Sequence, residues 1–129
     1  MSYRVFISHS AKDSELAKDL ARRLEEAGVE AVFPPASVGR DGTSSGMRAM
    51  IIQRVRNSDE VIVLLTDNSA DSPWVRYEMG AADSMDKLVT PVVVNEGVEQ
   101  RVPMVCKHVV KYADLPKYIS SLKRRAQAA

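Results

Sequence analysis

Glu60-Val61-Ile62-Val63-Leu64-Leu65-Thr66 has strand length, and every residue between its polar ends is apolar. A strand with one wet face alternates, so an unbroken apolar run fits a strand buried on both faces, as at the centre of a parallel sheet. The segments on either side have helical period. Met47 to Asn57 precedes it, with Met47, Met50, Ile51 and Val55 expected inward, and Ser72-Pro73-Trp74-Val75-Arg76-Tyr77-Glu78 opens a helix after it. Ser72 is a good N-cap and Pro73 a good first helical residue, which fixes where that helix starts.

Strands and helices continue to alternate outward from this centre. Tyr3 to Ser8 reads as the first strand. Ser10-Ala11-Lys12-Asp13 fits a capping box, after which Leu16, Leu20 and Leu24 recur at helical spacing until Gly28 ends the helix. Glu30 to Phe33 reads as the second strand, and Pro34 to Gly46 as a loop rich in small residues and longer than most α/β connections. Leu88 to Val94 is a fourth strand, a weaker fifth is expected around Lys107 to Val110, and Asp114 to Arg125 closes as a helix. The expected fold is α/β, a flavodoxin-like three-layer arrangement with a five-stranded parallel sheet and helices on both faces, formed by residues 1–129 as a single domain.

Composition narrows the function classes. Eighteen basic against 17 acidic residues in 129 leave a net charge of +1, without the basic footprint of a nucleic-acid binder. No apolar stretch approaches the roughly 18 to 20 residues of a membrane span. The lone Cys106 cannot form an internal disulfide and no secretory h-region opens the chain, so a reducing cytoplasm is expected. Cys106 itself reads as a small buried hydrophobe, and Lys123, Arg124 and Arg125 as a solvated helix end favoured by the dipole.

In a sheet wound this way the chain reverses direction between the first and third strands, and ligands bind beyond the carboxyl ends of the strands at that reversal. Those ends are Ser8-His9-Ser10 and Thr66-Asp67, and the helix of Trp74 and Glu78 begins shortly after the second. Trp74 and Glu78 are one turn apart on a stripe completed by Ala81, Ala82 and Met85, with no intrahelical cation to explain the acid. Either Glu78 sits at the stripe's edge with its carboxylate in water, or it is a cleft carboxylate beside an aromatic platform.

Several chemistries are excluded by missing parts. Ser8-His9-Ser10-Ala11 lacks the acids of a phosphate-accepting receiver domain. Neither a dinucleotide glycine fingerprint nor a phosphate loop is present. His9, His108 and Cys106 have no metal-ligand spacing, so no metal is expected, and there is no nucleophile elbow. A glutamate can instead bind ribose hydroxyls and stabilise positive charge on an anomeric carbon, which points to nucleoside or nucleotide glycosidic bonds. Arg40 and Asp41, between Gly39 and Gly42, could fold over a ligand, with Arg40 meeting a phosphate. A merely mobile surface loop is the alternative.

Val5-Phe6-Ile7-Ser8-His9-Ser10 with Asp13, Val32-Phe33, and Ser72-Pro73-Trp74-Val75 with Glu78 and Gly80 together resemble the first box, second strand and third-helix motif of TIR (Toll/interleukin-1 receptor) domains of the bacterial kind. The resemblance covers nearly the whole chain. It implies either an interaction module or an enzyme that cleaves NAD+ between nicotinamide and ribose. In the enzymatic case Glu78 maps onto the essential glutamate, Trp74 onto the neighbouring aromatic, and Ser8, His9 and Ser10 onto the pocket lining. Phe33 joins the expected substrate-binding residues, with Arg40 and Asp41. Family members often carry an acid at the end of strand two, where this chain has Phe33-Pro34-Pro35, and Asp41 is the candidate to supply that charge.

The resemblance further implies NAD+ as substrate rather than cofactor, with ADP-ribose or cyclic ADP-ribose products, several of which act as messengers in antiphage defence. It also implies other TIR domains, or a separate sensor or effector protein, as partners, with no direct nucleic-acid or membrane partner. The rival readings are a non-catalytic TIR adaptor and a nucleoside deoxyribosyltransferase-like enzyme.

Overall fold

The computed structural model describes residues 2–34, 45–101 and 108–128. The strands are β1 (Arg4–Ser8), β2 (Glu30–Val32), β3 (Glu60–Leu65), β4 (Leu88–Val93) and β5 (Val110–Lys111). The helices are α1 (Ser14–Glu26), α2 (Ser45–Arg56), α3 (Pro73–Ser84) and α4 (Leu115–Ala128). All pairings are parallel, in the order β2-β1-β3-β4-β5. This is the expected winding, with β5 displaced slightly C-terminal of its expected position. Arg40, Asp41, Cys106 and Lys107 lie outside the described residues.

β3 explains the layering. Every one of its residues is buried, and because successive side chains point to opposite faces, Val61, Val63 and Leu65 join Phe6, α2 and α3 in one core. Ile62 and Leu64 join Val5, Ile7, α1 and α4 in the other. α1 ends in a Schellman arrangement: Gly28 adopts φ +83°, its N–H donates to the Glu25 carbonyl at 3.0 Å, and that of Val29 donates to Leu24 at 2.9 Å. In α2 the inward stripe is Ile51 and Val55, with Met47 packed beside them, whereas Met50 is 45% exposed. Met47, Ile51 and Val55 recur every four residues, and Met50 lies about 100° around the helix from Ile51, so it turns away from the sheet.

One expectation changes at a charged position, and a buried acid is the reason. Glu60, which opens the apolar run, is 0% exposed. Arg125 holds it from α4 with a two-pronged guanidinium, Nε and Nη2 each 3.0 Å from a carboxylate oxygen, while the phenols of Tyr118 (3.0 Å) and Tyr3 donate to it as well. Arg125 is therefore no solvated helix end, although Lys123 and Arg124 are exposed. The buried carboxylate draws it in, because an unpaired charge there would be costly.

Removing Arg125 strands a fully buried carboxylate, while removing the charge of Glu60 leaves an arginine that still reaches water. Arg125→Met should cost about 3 kcal/mol or more and Glu60→Gln roughly half that, as read by urea unfolding; equal costs would contradict the asymmetry. Burial, together with the Glu60 carboxylate it donates to, pushes the Tyr3 phenol up from 10.0 to about 12. The unfolded chain then loses that proton first, so the phenol's contribution is complete below about pH 10 and is lost as pH rises towards 12. Melting temperatures should fall across that window, less steeply in Tyr3→Phe.

Candidate functional site

β1 and β3 are neighbours whose chains leave to opposite faces, β1 into α1 and β3 into α3. Their carboxyl ends therefore flank the reversal crevice. Ser8 is the last residue of β1, and the alternation that sends Phe6 to the α2/α3 side sends Ser8 there too. α3 begins as the sequence requires, with the Ser72 hydroxyl accepting from the Val75 N–H at 3.3 Å and Pro73 in the first turn. One turn beyond Trp74 this helix delivers Glu78 to Ser8, whose hydroxyl donates to Glu78 Oε1 at 2.6 Å. Both residues are 0% exposed. The reading of Glu78 as a stripe-edge residue with its carboxylate in water is thereby overturned.

The other candidates surround this pair unevenly. His9 is buried, with Nδ1 3.0 Å from the Ile7 carbonyl, an arrangement that makes Nδ1 the protonated nitrogen. Its ring meets Phe33 edge-on, centroids 6.0 Å apart, so the end of β2 is drawn to the end of β1. Trp74 is half-buried and stands edge-on to Tyr77 at 5.9 Å and 84°. Ser10 does not cap α1. Its hydroxyl accepts from the Lys12 N–H at 3.3 Å and starts a 3-10 turn, Ala11–Asp13, from which α1 continues. The expected capping box is thus displaced, because the Asp13 carboxylate bonds across the crevice to Thr66 (2.6 Å) and Asn68 (2.8 Å) instead of back to Ser10.

Sequence reading missed that cross-link, and also the tie of Asp67 to Asn95 and Arg101, in which the Asp67 N–H donates to Asn95 Oδ1 at 2.9 Å and its carboxylate pairs with Arg101 at 2.8 Å. The polar run Thr66-Asp67-Asn68-Ser69 directly after the central strand was its available signal. Among the described residues no group of three or more His, Cys, Asp or Glu could hold a metal ion. A carboxylate in such dry surroundings acts more strongly on nearby positive charge than one in water.

A sequence model described as TIR domain matches residues 5–127. The chain belongs to the TIR domain family. A Cytobacillus dafuensis protein named "Putative cyclic ADP-D-ribose synthase TIR2" is 27% identical to this TIR domain over 101 residues. The match covers 75% of the chain and 27% of that relative, so the chain spans about a quarter of its relative's length. The TIR domain of the Toll-related receptor TRR-2 from Hydra magnipapillata superposes with a TM-score of 0.68 at 18% identity, over 98% of this chain and 99% of that one. The Clostridium botulinum CMP N-glycosidase BcmB superposes with a TM-score of 0.60 at 20% identity, over 92% of this chain and 97% of that one. These likenesses establish the fold. Among the described residues no helix is long and apolar enough to cross a membrane.

Ser8→Ala takes a donor from a buried carboxylate and should cost this TIR domain about 1–3 kcal/mol in urea unfolding. Combined with Glu78→Gln, the loss should fall short of the sum of the single losses by roughly 0.5 kcal/mol or more. Strict additivity would mean that the two side chains do not stabilise one another.

Proposed function

We propose that this TIR domain cleaves the bond between nicotinamide and ribose in NAD+, with Glu78 as the essential carboxylate. The observation that carries the reading is the placement of Glu78, buried and bonded to Ser8 at the reversal point of the sheet. In such cleavage the C–N bond breaks, nicotinamide leaves as a neutral base with the bonding electron pair, and positive charge develops on the ribose anomeric carbon. A fixed carboxylate stabilises that charge. Water then adds to the carbon and releases a proton, giving ADP-ribose, or a nitrogen of the adenine adds and gives a cyclic product.

The name of the Cytobacillus dafuensis relative supports the cyclic outcome, and the likeness to a CMP N-glycosidase fits a fold able to host N-glycosidic cleavage. Ser8 orients Glu78, while Trp74 shapes the nicotinamide or ribose pocket, His9, Ser10 and Phe33 line it, and Arg40 and Asp41 complete the proposed substrate contacts. Glu78 has no exposed surface, so a ribose meets the carboxylate only after neighbouring side chains shift. That requirement suits an enzyme switched on by association with other TIR domains or by a separate sensor. NAD+ is consumed here as substrate, with no cofactor needed, in a cytoplasmic signalling role such as antiphage defence.

The test is NAD+ consumption by the purified chain at low and high protein concentration, with products separated by chromatography and CMP as the competing substrate. Wild type should consume NAD+, more steeply as concentration rises, and Glu78→Gln should lose at least about 100-fold in rate while remaining folded. An undiminished rate in that variant removes Glu78 from the chemistry. Turnover of CMP alone would move the activity to another glycosidic bond, and no turnover at any concentration would favour a non-catalytic adaptor.

A further inference from the structure

Asp13 bridges the two chain segments that form the crevice. On its own side its N–H donates to the Ser10 carbonyl at 2.9 Å, closing the turn that follows Ser8, His9 and Ser10. Across the crevice, Oδ2 accepts the Thr66 hydroxyl at 2.6 Å and Oδ1 accepts the Asn68 amide at 2.8 Å. The direction of the first bond follows from the rest of the Thr66 contacts. The backbone N–H groups of Asn68 and Ser69 both donate to the Thr66 hydroxyl oxygen at 3.1 Å, which leaves its one hydrogen for the carboxylate.

The bonding continues towards α3. The Ser69 hydroxyl accepts from the Thr66 N–H at 2.8 Å, the Ser69 carbonyl accepts from the Ser72 N–H at 3.0 Å, and Ser72 caps α3. From Asp13 an unbroken series of hydrogen bonds thus runs to the first residues of the helix that carries Trp74 and Glu78. Hydrogen bonds to an ionised acceptor are the strong members of such a series.

We propose that Asp13 is a positioning residue, which through Thr66 sets the start of α3 against the end of β1 and so fixes Glu78 relative to Ser8. The proposal rests on the NAD+ reading for its catalytic consequence, but not for its geometry. Asp13 touches no reacting atom. Its effect on rate comes from the steepness with which catalysis falls when a group is displaced by about an ångström.

The test compares Asp13→Ala, Thr66→Val, their combination and Thr66→Ser, each checked for folding by circular dichroism. Thr66→Val, which removes the same bond from the other side, carries the test alone if Asp13→Ala does not fold. The first two should each lose about tenfold or more in kcat for NAD+ with KM changed less than about threefold. The double variant should be no slower than the worse single one, and Thr66→Ser, which keeps the hydroxyl, should stay within about threefold of wild type. Unchanged kcat in Asp13→Ala, or fully additive losses, overturns the proposal.

Amide hydrogen exchange at Asn68 and Ser69 gives a readout independent of activity. It should accelerate at least about tenfold in Asp13→Ala and Thr66→Val and not in Thr66→Ser. Unaltered exchange overturns the clamp even if Glu78 proves essential. Accelerated exchange in a chain whose wild type consumes no NAD+ retires the NAD+ reading and upholds the clamp.

Discussion

Burial of β3 on both faces is the constraint from which the rest of the architecture follows. A strand with no wet side must be covered above and below, and in a parallel sheet the covering elements are the crossover helices themselves. Two cores result, one shared with α1 and α4 and the other with α2 and α3. The chain must then leave β1 for one face and β3 for the other, and the divergence of adjacent strands opens the crevice. The same alternation selects which side chain faces it. A shift of one residue along β1 would turn Ser8 towards α1 and away from Glu78.

The sheet carries a buried carboxylate at each end of its strands, and the two are held differently. Glu60, at the amino end of β3, takes a bidentate guanidinium and two phenols from elements far apart in sequence, and so ties α4 and the segment before β1 to the central strand. This is a structural lock, with charge balanced on the spot. Glu78, near the carboxyl ends, receives the Ser8 hydroxyl at 2.6 Å, which joins α3 to the end of β1.

Much of this was legible beforehand, because each legible feature rests on local chemistry. The start of α3 is written in Ser72-Pro73, the end of α1 in Gly28, and the central place of β3 in its unbroken apolar run. The five-stranded parallel order and membership of the TIR family follow from the succession of such signals. What failed to read through were polar side chains whose partners are distant in sequence. Asp13 looks like the last member of a capping box, and nothing local shows that its carboxylate serves Thr66, 53 residues away. Arg125 looks like one of three basic residues at a helix end, and only the fold brings it to Glu60.

The sequence by itself determined the elements, their order and the identity of the glutamate to watch, since periodicity, caps and apolar runs act within a few residues of one another. Tertiary structure alone decided that Glu78 is buried rather than solvated, that Met50 is outside rather than in, and which donor meets which acceptor across the crevice. Burial and long-range pairing depend on how separate elements pack, and a hydrogen bond of 2.6 Å between residues 70 positions apart exists only once the sheet has brought β1 and α3 together.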